Sequence, residues 1–372
     1  MTATPPRPLA PGDIVTAFSE HLGEWTAAQV TRLSPESELA VVLELAWSGP
    51  EPATVAELGE VEPLRLTHHS WNGTLAHTNW EWVLPRSYRV LGSLPLLGPE
   101  VTNSYSSGWY LGHQLHLQRR WDAQITEEPV TPWAAEYTGA EIGRAEPDPG
   151  VRWLTVRGVE ELDCAPLVTK FPHLQHLTLR GRLGLLRNAV ALNELTGLRR
   201  LAVWELFGMT AADCLLPHRV PEIEAISLDG IPAEYAAATR KKWKPEIPQG
   251  VHLDIRGARK PEWVAENRDN PLRNWDGRQG IGPARYKKAI AQYKQTRRAV
   301  LAVLADPAAD RPAQLAEIGR EYGELFNRLD GRSPFIGAVE REELFEALTA
   351  IAPDQPAVAT ALAAGVDAVR DW

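Results

Sequence analysis

Leu154-Thr155-Val156-Arg157-Gly158 sets a pattern of aliphatic, small polar, aliphatic, charged, glycine. The pattern returns as Leu177-Thr178-Leu179-Arg180-Gly181, Ile226-Ser227-Leu228-Asp229-Gly230 and Leu253-Asp254-Ile255-Arg256-Gly257. Leu201-Ala202-Val203-Trp204 is a degenerate copy, and successive first positions are 23, 24, 25 and 27 residues apart. Another aliphatic stands three positions earlier in four copies, at Val151, Leu174, Leu198 and Ile223. Side chains at i and i+2 of a strand share one side, so a single unit cannot bury its own aliphatic pair. Units that stack as adjacent strands can. The intervening stretches 184–195 and 233–243 have helical composition and return the chain to the next strand.

The L-x-x-L-x-L spacing resembles leucine-rich-repeat proteins over residues 150–258. That resemblance implies an α/β solenoid whose strands line a concave face. The family's Asn or Cys three positions after the last Leu is absent, and four copies instead place Gly two positions after it, so no regular asparagine ladder is expected. With the aliphatics inward, their neighbours decorate the concave side: Trp153, Thr155 and Arg157; His176, Thr178 and Arg180; Arg200, Ala202 and Trp204; Ala225, Ser227 and Asp229; His252, Asp254 and Arg256. Arg and Trp are over-represented in binding hot spots, and a short strand face needs no such decoration to fold. The candidate binding residues are therefore Trp153, Arg157, His176, Arg180, Arg200, Trp204, Asp229, His252, Asp254 and Arg256. The competing reading is a solvated face, or one covered by the protein's own termini.

Working outward, residues 11–122 read as a small β barrel. Segments 14–18, 25–33 and 39–47 are rich in β-branched and aromatic residues and separated by turn formers. Eight of the fourteen tryptophans lie at or before Trp133. Pro11-Gly12-Asp13-Ile14-Val15 and Val83-Leu84-Pro85 resemble the SH3-like barrels of a family of bacterial immunity proteins that neutralise polymorphic toxins. Asn72-Gly73 predicts a two-residue hairpin turn that would set His68 opposite His77. A polar cross-strand pair is favoured there over a metal site, because no third ligand is evident, with His113 and His116 nearby only in sequence.

Residues 123–149 read as a proline-rich acidic linker. Beyond it and the repeats, residues 259–372 read as a helical domain able to cap the solenoid. Leu315, Ile318, Tyr322, Leu325 and Leu329 follow a 3.6 period, as do Val358, Leu362, Val366 and Val369. Within 277–305 stand Arg278, Arg285, Lys287, Lys288, Lys294, Arg297 and Arg298 with no acidic residue. Gly280-Ile281-Gly282-Pro283 at the helix start could receive a phosphate. The favoured expectation is pairing with the nine acidic residues of 310–346.

Composition narrows the function classes. The 372 residues are 44% hydrophobic and 23% charged with a net charge of −9, a soluble globular makeup in which nucleic acid is not the first partner to expect. Eight lysines against 31 arginines suggest a GC-rich bacterial genome. The start lacks a signal-peptide pattern and no apolar run spans a bilayer, so the expected address is cytoplasmic with no membrane partner. Cys164 and Cys214 are too few for a thiolate metal site and are expected to be reduced and buried. There is no G-x-S-x-G, H-E-x-x-H, C-x-x-C or nucleotide-binding fingerprint. The expectation is a multidomain α+β protein without enzymatic activity, metal or cofactor that binds a protein or peptide. Toxin neutralisation and polyanion binding through residues 278–298 are the alternatives.

Overall fold

The computed structural model describes residues 8–34, 36–98, 104–105, 109–127, 131–306, 310–331 and 333–372. Residues 1–7 of the proline-rich start, and Glu128 and Pro129 of the acidic stretch, lie outside them. The chain is mixed α/β and forms two compact units, Met1–Lys260 and Pro261–Trp372.

The first unit opens with strands β1 (Asp13–Ser19), β2 (Glu24–Ser34) and β3 (Leu39–Gly49). The short β4 (Arg65–Leu66) and β5 (Thr74–Leu75) pair with each other. They are followed by β6 (His77–Glu81), β7 (Arg89–Ser93), β8 (Ser104–Tyr105) and helix α1 (His113–Asp122). Among the described residues the sheet order is β7-β1-β2-β3-β6-β8, with antiparallel neighbours except β6 and β8, and no closure between the two edges. Both faces of this sheet are covered, which explains runs of consecutive buried residues where a half-exposed strand would alternate. Val15, Ala28, Val30 and Val42 pack on one side with Trp80 and Trp109, whose rings lie 4.8 Å apart. Ile14, Ala27, Leu45 and Leu58 fill the other.

The hairpin register differs from the two-residue expectation. Asn72 and Gly73 do adopt positive φ, 52° and 78°. They end a longer loop, residues 67–73, closed by the Gly73 N–H donating to Leu66 O at 2.8 Å. Leu66 therefore pairs with Thr74 and Arg65 with Leu75. His68 sits in the loop, its ring bonded to Gln114 and His69 at 3.0 and 2.8 Å, while His77 lies on β6 opposite Leu43. The expected His68–His77 pair does not form.

The second sheet is parallel: β9 (Ala134–Thr138), β10 (Trp153–Asp163), β11 (His176–Arg187), β12 (Arg200–Phe207), β13 (Ala225–Asp229) and β14 (His252–Arg256), in sequential order. Leu154 pairs with Leu177, Leu177 with Leu201, Leu201 with Ile226, and Ile226 with Leu253. Val156, Leu179, Val203 and Leu228 form the next row, and both rows point into one core. Each such aliphatic, fully buried, contributes roughly 1.5–3 kcal/mol. The connections carry short helices, α2 (Gly139–Ile142), α3 (Cys164–Lys170) and α4 (Ala233–Trp243). Two local readings change. Residues 184–187 continue β11 through irregular register, and only 189–194 turn, as a 3-10 helix. The stretch read as linker supplies β9, which pairs with β10.

Cys164 and Cys214 are free and buried in this core. Asn193 takes over locally what a ladder would do: its amide donates to Val190 O and Cys214 O, and its Oδ1 accepts from Leu216 N at 2.7 Å.

The second unit is helical: α5 (Pro261–Asn267), α6 (Pro283–Ala305), α7 (Arg311–Asp330), α8 (Ala338–Thr349) and α9 (Pro356–Asp367). Its core holds Trp275, Tyr293, Tyr322, Phe326, Leu344 and Leu362. Helices α7 and α9 cross on glycine: a Cβ at Gly365 would stand 1.9 Å from Ala316 O, and one at Gly319 2.1 Å from Leu362 O. Arg278 pairs with Glu340 and Glu343 at 3.0 and 2.6 Å. No helix among the described residues is long and apolar enough to cross a membrane.

Candidate functional site

The alternation that buries the aliphatics turns their neighbours onto the opposite face of the parallel sheet. In register these form rows across the strands. One row runs Trp153, His176, Arg200, Ala225, His252; the next Thr155, Thr178, Ala202, Ser227, Asp254. A third runs Arg180, Trp204, Asp229, Arg256.

The first row is engaged from within the same unit. Trp153 stacks on His176 with ring centroids 4.1 Å apart and meets Trp133 edge-on at 4.9 Å. Tyr110 and His21 each lie 5.9 Å from Trp153. Arg200 donates to Trp109 O, and Arg199 faces Glu20 at 3.6 Å. Ser87 N–H donates to Glu224 at 3.0 Å, while Arg86 holds Gln249 O, Pro221 O and Glu246. Trp153, His176 and Arg200, candidate binding residues by sequence, thus hold the antiparallel module against the sheet.

Beside them lies a histidine cluster: the sequence pointed to His113 and His116 as neighbours of the His68–His77 pair but not to their grouping with His21. His113 and His116 are one turn apart on α1 and share a face, with His21 at 5.4 and 5.3 Å from their rings. His21 Nε2 is bonded to the Tyr110 hydroxyl. His113 Nδ1, His116 Nε2 and Trp153 Nε1 are buried without a hydrogen-bond partner. Burial disfavours the imidazolium: it takes His113 down to about 4, lowers His21 and His116, and holds His176 well below the ordinary value, with Arg200 and Arg199 adding to the last. Deeper in the module, burial pushes the Glu44 carboxyl up to about 8 although Gly112 N–H donates to it. Among the described residues no group of three or more His, Cys, Asp or Glu could hold a metal ion.

The other rows remain open. A cavity of about 270 Å³ lies between Thr178, Ala202 and Ser227 of the sheet and Val83 and Trp109 of the antiparallel module. A second, about 590 Å³, continues toward Asp229, Asp254 and Arg256, with Glu38 and Trp82 on the far wall. Glu81, Val83, Trp204, Ser227 and His252 belong to both, so the two form one trough. His252 faces Glu81 across it at 3.7 Å, and Arg180 lays its guanidinium over Trp204. Arg256 pairs with Asp254 at 2.9 Å and stays 74% exposed, whereas Arg157 pairs with Glu136 on β9, away from the trough lining. Of the ten candidates, Trp204, Asp229, His252, Asp254 and Arg256 line the trough, His176 and Arg200 line its smaller end as well, and Arg180 touches it only through Trp204.

No protein-family model, curated protein or solved structure matches the chain.

Proposed function

We propose that the chain is a non-catalytic recognition protein whose parallel sheet is the concave face of a short leucine-rich-repeat solenoid. An extended segment of a partner protein occupies the trough between that face and an SH3-like N-terminal module. The sequential parallel register of five units at a 23–27-residue period supports the solenoid. One observation carries the binding function: an open trough of cavities of about 270 and 590 Å³, lined by half-buried tryptophans and by charged side chains of both signs. These side chains give a partner aromatic contact area and both signs of charge, the ingredients of a hot spot. If the bound partner is a toxin, the same contact neutralises it by occlusion.

The test is capture from the native host by wild-type chain and by Trp204→Ala/Asp229→Lys, followed by mass spectrometry. A partner enriched by the wild type and lost in the variant supports the trough. A partner retained by the variant removes it.

A further inference from the structure

We propose that the second unit carries an independent, sequence-neutral site for the phosphate backbone of duplex DNA on the outer face of α6. Lys287, Lys288, Lys294, Arg297 and Arg298 are all exposed there, and none forms an ion pair with a carboxylate among the described residues. Sequence reasoning expected the acidic stretch 310–346 to neutralise them. It does so only for Arg278. On α7, Glu317 and Glu324 pair with Arg320 and Arg328 of the same helix, and on α8 Glu340 and Glu343 hold Arg278, with Glu343 also accepting from the Trp275 indole.

Helix geometry arranges the cations. At about 100° per residue, Lys287, Lys294 and Arg298 fall within about 40° of one another and opposite the buried stripe Ala289, Tyr293, Thr296 and Val300. They span about 16 Å along the axis, with Lys288 and Arg297 flanking the row. Leu301 is the single large apolar residue exposed on α6, which gives no face to insert into a bilayer. Tyr286 and Tyr293, the aromatics of α6, are bonded to Asn267 or buried, so no platform exists for stacking unpaired bases. Duplex RNA closes its major groove to side chains, while a straight row of cations laid along B-DNA meets its phosphates without any base contact.

The test uses the full chain and a fluorescein-labelled DNA duplex of mixed sequence, read by anisotropy over a salt series. Binding on the order of 10⁻⁵ M or tighter at low salt is expected, with log K falling against log salt at a slope between about −2.7 and −4.5, for three to five phosphates. Each of Lys287→Gln, Lys294→Gln and Arg298→Gln should flatten the slope by about 0.9. Lys287→Glu/Lys294→Glu/Arg298→Glu should abolish binding while circular dichroism stays unchanged; if that variant fails to fold, the three Gln variants decide. The proposal is overturned by no binding at low salt, by slopes unaltered in the Gln variants, or by tighter binding to single-stranded DNA, duplex RNA or phosphatidylserine vesicles.

Discussion

The Arg180 guanidinium stands 3.9 Å above the Trp204 ring, from the neighbouring strand of the parallel sheet. Arg180 is exposed and Trp204 half-buried, so the contact is an outward-facing one beside the trough, which Trp204 lines. Cation–π pairs at such exposure contribute about 0.5–1 kcal/mol. Arg180→Ala should therefore lower unfolding free energy by no more than about 1 kcal/mol, measured by urea titration. The same change should weaken partner capture markedly, because it strips the indole of the cation that orients it.

Acid should act through the histidine cluster. His113 is held at about 4, below its ordinary 6.5, and His21, His116 and His176 are lowered too. The unfolded chain then binds protons more readily than the folded one. The stability these neutral rings retain is present above pH 6.5 and is lost as pH falls toward the folded values. Half-exposure screens part of the effect, so His113→Gln should reduce the loss between pH 7 and 4.5 by on the order of 1–2 kcal/mol. Parallel acid titrations of wild type and variant would contradict this assignment.

Glu44 should act in the opposite sense. Its folded carboxyl titrates at about 8 against an ordinary 4.5, so the folded state binds the proton more tightly. The favourable contribution is complete below pH 4.5 and disappears as pH rises through 8. Glu44→Gln keeps an acceptor for Gly112 N–H without the charge. The variant should be more stable than wild type by on the order of 2–4 kcal/mol at pH 8.5, with the gap closing toward pH 4.5. Chemical denaturation at the two pH values measures it.

Gly365→Ala should damage the second unit. The new methyl would meet the Ala316 carbonyl at 1.9 Å, and backbone on neither helix can yield without separating α7 from α9. A loss of about 1–3 kcal/mol or more is expected, whereas Gly197→Ala, with nothing within 4 Å, should be nearly neutral. Thermal melting of both variants distinguishes them.

The parallel rows were legible because hydrophobic repetition acts locally and cooperatively: each Leu-x-Leu pair predicts its own face and its neighbour's. Strand β9 was not, since Ala134-Ala135-Glu136-Tyr137-Thr138 is an edge strand that, among the described residues, pairs with β10 alone and lacks a β-branched core run. The Asn-Gly signal gave the turn conformation at residues 72 and 73, but no local rule gives the loop length that sets the register. The open trough followed in part from alternation alone, which put Trp204, Asp229, His252 and Asp254 on one face. That Trp153, His176 and Arg200 would be taken up internally depended on Trp109, Tyr110 and His21, contacts spanning tens of residues and invisible to any periodicity. His113 and His116, three residues apart on a helix, were the one signal that could have found the cluster.

The most direct test of partner recognition in the trough is quantitative capture from the native host with wild type, Trp204→Ala/Asp229→Lys and, as a control on the same sheet but away from the trough, Arg187→Ala. A partner held equally by wild type and Arg187→Ala and lost from the double variant is the result predicted. Equal recovery by all three proteins would contradict it.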